Sequence, residues 1–355
     1  MIMDGKYIKA LVIGKFQPLH KGHMSLIEFA KTQAQTVDML VTAHDGEQIP
    51  IGDRFRWASE TYASDACVSV FAYSYDPEVL SSSSESDVEL SRQWADYLVS
   101  VHPGMKEVDV IVGSEKYVQF MAEYLGISYA IYDEQRENMK ISATMIKGDM
   151  VKYWDYLSPA AKRSYVRHIC ICGSESTGKS TTCKRLEEEY GFVTVIPEIG
   201  RCLVGKSELC SLETLQKIYE IHRSLLEAVC FDPPTPIILW DTDSLTTLSY
   251  FRYLYPDLPI TDIMAEHGEM TEQDLLDSVI KADKYFFFES NIGFHDDGTR
   301  FTEDEARQLS SSHINEYLRS GIKPEVVTAS DRYSVVEQWV LASVDQLVSA
   351  FSSIN

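Results

Sequence analysis

The chain has 355 residues, 45% of them hydrophobic, and a formal charge of −22. That length holds about two ordinary domains, each with enough apolar residues to bury a core. So acidic a chain argues against a nucleic-acid groove, which needs basic surface, yet it leaves room for anionic small ligands at a locally positive site. Seven cysteines without a CxxC pair or metal-ligand spacing read as reduced thiols of a cytoplasmic protein. The opening "MIMDGKYIK" lacks the apolar stretch of a signal peptide, and no apolar run reaches membrane-spanning length.

Along the chain, strands are predicted at "IKALVIG", "VDMLVTA", "VSVFAYS", "DVIVGS" and "YAIYD". Helices are predicted after Lys21, after Arg54, from Asp87 to Val101 and from Lys116 to Leu125, with a Ser-rich loop from Leu80 to Ser86. Strands alternating with helices imply a parallel sheet covered on both faces. An aromatic connector, "VKYWDYLSPAAKRSY", follows. A second alternation then begins, with strands at "VRHICIC", "VTVIPE", "PIILWD", "KYFFFES" and "EVVTAS". The expectation is α/β: a first domain over 1–150, a connector over 151–165 and a second domain over 166–355.

"GSESTGKS", Gly173 to Ser180, fits the P-loop pattern GxxxxGK[ST] between a strand and a helix. Its glycines let backbone N–H groups wrap a phosphate chain at a helix N-terminus. Gly173, Ser176, Thr177, Gly178 and Thr181 are therefore expected around ATP, with Lys179 on the β/γ-phosphates and Ser180 on Mg²⁺. Glu198 and Arg201 follow one strand, and Asp241 and Asp243 follow another, at the carboxyl edge where open α/β sheets bind ligands. One acid is available to help hold Mg²⁺ and another to accept a hydroxyl proton, while Asp243 or Ser244 also suits an N-cap. "NIGFHDDGTR", Asn291 to Arg300, reads as a lid whose Arg300, with Arg307, closes on the transferring phosphoryl group. These parts suit a small-molecule kinase.

"GKFQPLHKGH" places His20 and His23 after the first strand, and "ISATMIK", Ile141 to Lys147, ends the same domain. The pair resembles the HxGH and ISxTxxR motifs of nucleotidylyltransferases, a Rossmann-like class. In these enzymes a phosphate oxygen attacks the α-phosphorus of a nucleoside triphosphate and pyrophosphate leaves. Histidines, hydroxyls and N–H groups at helix N-termini can stabilise the charge that develops.

The motif order over nearly the full chain resembles the NadR-type family. That family pairs a nicotinamide-nucleotide adenylyltransferase with a P-loop ribosylnicotinamide kinase. The matching stretches include "DRFRW", "YWDYL", "PEIGR", "DTDSLTT" and "DDGTR". The resemblance implies two steps: ATP phosphorylates nicotinamide riboside, and a second ATP adenylylates the mononucleotide to NAD. It puts Gly14, Lys15, Phe16, Gln17, His20 and His23 beside ATP, closed by Ser142, Thr144 and Lys147. Arg56 would face the mononucleotide phosphate and Trp57 would stack on its ring, with Ser114 and Glu115 near the dinucleotide. In the kinase, Glu198, Asp241 and Asp243 would hold the riboside or act as base, and Asp331, Arg332 and Tyr333 would cradle adenine. The implied partners are small molecules, with no nucleic acid or membrane, and a homo-oligomer fits the family.

The chain departs from the family in places. The first strand starts within ten residues of Met1, which leaves no room for the helix-turn-helix domain of some members. The family arginine is Lys147, which keeps the charge and loses the bidentate fork. Pro197 and Ile199 replace aromatics expected to face nicotinamide, with Trp240 as the compensating candidate. A nucleotide-sensing regulator, or an adenylyltransferase half joined to a kinase with another acceptor, stays open on sequence.

Overall fold

The computed structural model describes every residue except 1, 4–5, 82–86, 136, 205–209, 267, 290–302, 329 and 353–355. Its contacts divide the chain into two compact units, Met1–Ser164 with Val348–Asn355, and Tyr165–Leu347.

In the first unit β1 (Ile2–Met3) pairs antiparallel with β2 (Lys6–Gly14). The chain continues through α1 (Lys21–Gln33), β3 (Ala34–Ala43), α2 (Ile51–Thr61), β4 (Val68–Ser74) and α3 (Val88–Val101). It ends with β5 (Val110–Gly113), α4 (Tyr117–Leu125), β6 (Ser128–Ile131), α5 (Ala143–Gly148) and α6 (Pro159–Tyr165). The parallel strands are ordered β4-β3-β2-β5-β6. The strand order reverses between β2 and β5, which opens a crevice at their carboxyl ends. Leu11, Ile13, Leu40, Trp94, Leu98, Ile111 and Met121 form a core on one sheet face. Helix α2 starts at Ile51, a turn before the predicted place, because Pro50 at its N-cap presets φ at −56°.

The second unit runs β7 (Arg167–Gly173), α7 (Lys179–Glu189), β8 (Val193–Ile196), α8 (Ile199–Leu203), α9 (Leu212–Phe231) and β9 (Ile237–Asp241). Then follow α10 (Ser244–Leu254), α11 (Glu272–Ser278), β10 (Lys284–Phe288), α12 (Glu303–Arg319), β11 (Glu325–Val327) and α13 (Arg332–Ser352). Its sheet is ordered β11-β10-β7-β9-β8, all parallel. Strand β9 is buried along its whole length, as parallel strands covered on both faces require. Because β9 lies directly beside β7, the acid that ends β9 meets the loop that leaves β7. Among the described residues no helix is long and apolar enough to cross a membrane.

The non-glycine residues with positive φ among the described ones are Phe16, Asp133, Ser176 and Thr242, at 48°, 51°, 59° and 75°. Each lies just past the carboxyl end of a strand. Strain of this kind persists where surrounding structure fixes it, and here it gathers at the two ligand edges.

Candidate active sites

In the first unit a cleft of 440 Å³ opens at the β2/β5 crevice. Gly14, Lys15, Phe16, Gln17, His20, His23, Ser114, Glu115, Ser142, Thr144 and Lys147 line it. His20 is the N-cap of α1, and its Nδ1 accepts from the Gly22 N–H at 3.1 Å. The His23 ring stacks on His20 with centroids 3.7 Å apart and meets Phe16 edge-on at 4.9 Å. The spacing of HxGH has a packing reason. A Cβ on Gly22 would come within 2.9 Å of the His20 ring and 3.3 Å of Ile141, so the glycine first makes room for the histidine. The connector stretch comes back to this cleft: Leu157 bridges His20, and the Ser158 N–H donates to the Leu19 carbonyl at 3.1 Å.

Ser142 caps α5 by accepting from the Met145 N–H at 3.2 Å, which turns the helix N-terminus toward the cleft. Burial, then the nearby Lys15, lowers the pKa of Lys147. If Lys147 must be an ammonium to meet phosphate, activity declines as pH rises through that lowered value. We expect the alkaline limb of a pH–rate profile for adenylyl transfer to fall below the ordinary lysine range, and Lys147→Arg to move it to higher pH. An unchanged limb in that variant would remove Lys147 from the reaction.

Helical phase corrects the reading of "DRFRW". Arg54, Trp57 and Ala58 form the buried face of α2. Trp57 is 1% exposed, with its Nε1–H donating to the Ser164 hydroxyl at 2.7 Å, so it is core and presents no ring for stacking. Arg56 points outward, pairs with Asp53 at 2.8 Å and donates to Ser164 at 3.1 Å, away from the cleft. Sequence reasoning also missed Tyr132, Asp133 and Met139, which line the cleft. Asp133 builds that wall: its carboxylate accepts from the N–H groups of Glu137, Asn138 and Met139 at 2.7 to 3.1 Å. No motif marks it.

In the second unit the P-loop follows β7. Gly173, Ser176 and Gly178 have φ of 130°, 59° and 86°, the turns that aim successive N–H groups inward. A Cβ on Gly173 would sit 2.4 Å from the Phe288 carbonyl oxygen of paired β10. Gly173→Ala is therefore expected to cost about 3 kcal/mol or more, read as a lower urea midpoint. Wild-type stability would contradict this geometry. Lys179 is buried, and its Nζ donates to the Ser174 carbonyl at 2.8 Å, while the Thr177 hydroxyl donates to the same oxygen at 2.9 Å. Thr181 is exposed on the first turn of α7.

Ser180 Oγ and Asp241 Oδ1 are buried side by side, and neither has another hydrogen-bond partner among the described residues. Burial raises the Asp241 pKa, while the Ser180 hydroxyl and Lys179 lower it and Glu198 raises it. Two neighbouring buried hard oxygens beside a phosphate loop fit Mg²⁺, which takes few protein ligands and completes its shell with water and phosphate. Glu198 is partly open and accepts from Arg201 Nε at 2.6 Å. Asp243 is fully buried and engages structure through Oδ1, while its Oδ2 has no hydrogen-bond partner among the described residues. It caps α10 through the Thr246 N–H at 3.1 Å and accepts the Tyr317 hydroxyl at 2.6 Å, and burial raises its pKa to about 6.

Three further expectations change. Trp240 is fully buried and its Nε1–H donates to His168 Nδ1 at 3.2 Å. It points to the sheet face opposite Asp241, since neighbouring strand residues alternate, and so it replaces neither lost aromatic. Arg332 is buried and donates to the Thr177 and Glu289 carbonyls, tying the P-loop to the end of β10 rather than walling adenine. Tyr333 lies under Arg185 at 3.6 Å with its hydroxyl on Glu189 and Glu337, and Asp331 accepts from Ser334, so both side chains have protein partners. Arg300 and the rest of "NIGFHDDGTR" lie outside the described residues. Arg307 is exposed on α12. His313, unmarked by any motif, is fully buried near Lys179, and both its ring nitrogens lack a hydrogen-bond partner among the described residues.

Fold and sites define a two-domain α/β protein: a nucleotidyltransferase-type domain followed by a P-loop domain. Residues 11–149 match the family model described as cytidylyltransferase-like, and residues 168–333 match the one described as an AAA domain. The chain is 27% identical over 269 residues to the trifunctional NAD biosynthesis/regulator protein NadR of Escherichia coli (strain K12), covering 68% of this chain and 62% of that protein. Against the same-named protein of Salmonella typhimurium it is 26% identical over 265 residues, with the same coverage. The chain thus aligns with 62% of the length of these relatives. A crystal structure of NadR protein in complex with NR matches 96% of each chain with a TM-score of 0.57 at 19% identity. One in complex with NAD and AMP-PNP matches 98% of each chain with a TM-score of 0.51 at 18% identity. The chain is therefore similar to NadR, as its motifs imply, and the structural matches show the shared fold.

Proposed function

We propose that the chain makes NAD in two steps, phosphorylating nicotinamide riboside in the second domain and adenylylating the mononucleotide in the first. The observation that carries this reading is the pairing, in one chain, of a histidine-and-lysine cleft at one sheet's switch point with a P-loop at the other's. The NadR relatives support it by name, and the two motif sets support it by chemistry.

In the first step the riboside hydroxyl attacks the γ-phosphorus of ATP, ADP leaves, and the hydroxyl proton passes to a carboxylate. Glu198 is our assignment for that base, because it is partly open while Asp243 is fully buried on its cap and Asp241 lies on the cation side. Ser180 and Asp241 would hold Mg²⁺, which neutralises phosphate charge when bound. Lys179 has three donors, so it can keep the Ser174 carbonyl and still reach phosphate. In the second step a mononucleotide phosphate oxygen attacks the α-phosphorus of ATP and pyrophosphate leaves. Lys15, Lys147, the histidine pair and the N-terminus of α5 stabilise the charge that builds. All seven cysteines are free thiols, which supports a cytoplasmic setting.

The test is nicotinamide mononucleotide plus Mg²⁺-ATP, with NAD and pyrophosphate read by chromatography. Equal amounts of both support the transferase step, and no NAD overturns it.

A further inference from the structure

The rim of the first-domain cleft carries a carboxylate that none of the motifs contains. Glu47 lies in the loop between β3 and α2, with Oε1 2.8 Å from Lys15 Nζ and Oε2 2.7 Å from Arg54 Nη1. Its side chain is 8% exposed, and that of Arg54 is 0% exposed. Arg54 is fixed independently, with Nε donating to the Ile49 carbonyl at 2.8 Å and Nη1 to the carbonyls of Lys15 and Thr42, each at 3.3 Å. Arg54 therefore anchors Glu47, and Glu47 fixes the ammonium of Lys15, which lines the cleft.

The electrostatics agree with that chain of contacts. Burial pushes the Glu47 carboxyl up, but Lys15 and Arg54 outweigh it and hold it below its ordinary value, so it stays ionised. The other groups facing it are His44, with Nε2 3.6 Å from Oε1, and the buried Tyr75, whose pKa burial raises. Lys147, which also lines the cleft, is destabilised as an ammonium by burial, Lys15 and Arg54, and supported by Glu47. Lys15 and Arg54 thus flank the Glu47 carboxylate in a partly desolvated site, within electrostatic reach of Lys147. Like charges repel strongly in such a site unless an opposite charge lies between them.

We propose that Glu47 is a positioning residue for adenylyl transfer: held by the fixed Arg54, it aims the Lys15 ammonium at the phosphate chain. The inference rests on the adenylyltransferase reading. An ammonium has three donors, so Lys15 can keep Glu47 and still donate to an arriving phosphate oxygen. Glu47 need not touch substrate.

The test uses the full chain, nicotinamide mononucleotide and Mg²⁺-ATP, with kcat and KM measured across pH. Glu47→Gln is expected to lower kcat roughly tenfold to a hundredfold, more than it changes KM for ATP, since misplacement of a charged group costs on that order. Its alkaline limb moves to lower pH, because Lys147 loses its supporting charge. Combined with Lys15→Met, the double variant loses less than the product of the singles, since the residues act as a unit. Glu47→Asp keeps the charge near Arg54 but is too short to reach both cations. It is expected to fold and to lower kcat with the limb in place, which decides the matter if the Gln variant does not fold. Wild-type kcat and limb in both variants, or losses that simply multiply, would confine Glu47 to bracing its loop. A wild-type chain without adenylyl transfer would sink the underlying reading instead.

Discussion

Replacing Lys179 by alanine is expected to lower riboside phosphorylation about 10³-fold, the scale for removing one preorganised donor to a developing phosphate charge. Mononucleotide adenylylation should be unchanged, because the histidine cleft belongs to the other compact unit. The lysine is buried at the first turn of α7 with its ammonium on the P-loop rim. Assaying both half-reactions on the same preparation separates chemistry from folding: an unfolded variant would lose both. Loss of adenylylation alone would mean that the P-loop serves the other step.

His23→Ala is the reciprocal experiment. It removes the ring stacked on His20 and edge-on to Phe16, so it takes away a charge-stabilising group and loosens the one beside it. Adenylyl transfer should fall roughly 10²- to 10³-fold. Riboside phosphorylation should persist and the mononucleotide should accumulate. Accumulation is the informative readout, because a merely destabilised chain would make neither product. Retention of adenylylation within a few-fold would take the histidine pair out of the chemistry.

The comparison of sequence with structure separates what motifs encode from what packing decides. Both sheets, their strand positions and the two phosphate loops were legible, since apolar runs of strand length and glycine spacing are local signals. The side of an element is also written in the sequence, though less plainly. Arg54 and Trp57 are three apart on α2 and share its inner face, while Arg56 falls on the outer one. Counting helical phase would have put Arg54 and Trp57 in the core and Arg56 on the outer face. Trp240 yields to the same argument with period two. Other features had no local signal. Asp133 shapes the cleft through a left-handed residue and three backbone N–H groups, which exist only once the loop is folded. Arg332 reads as an adenine contact in its motif and serves as a tie between P-loop and sheet, because its partners are carbonyls far away in the chain. Glu47 belongs to no motif, and its importance comes from the two cations on either side of it.

The central claim is that one chain carries the riboside through to NAD. The direct measurement is to incubate the wild-type protein with nicotinamide riboside and Mg²⁺-ATP and to follow riboside, mononucleotide and NAD by chromatography. The account predicts that riboside is consumed, mononucleotide rises first, and NAD follows with pyrophosphate. Riboside left untouched while added mononucleotide is turned to NAD would contradict it. The kinase site would then need another acceptor, and Pro197 and Ile199, which stand where the family's aromatics are expected, would be the first residues to change.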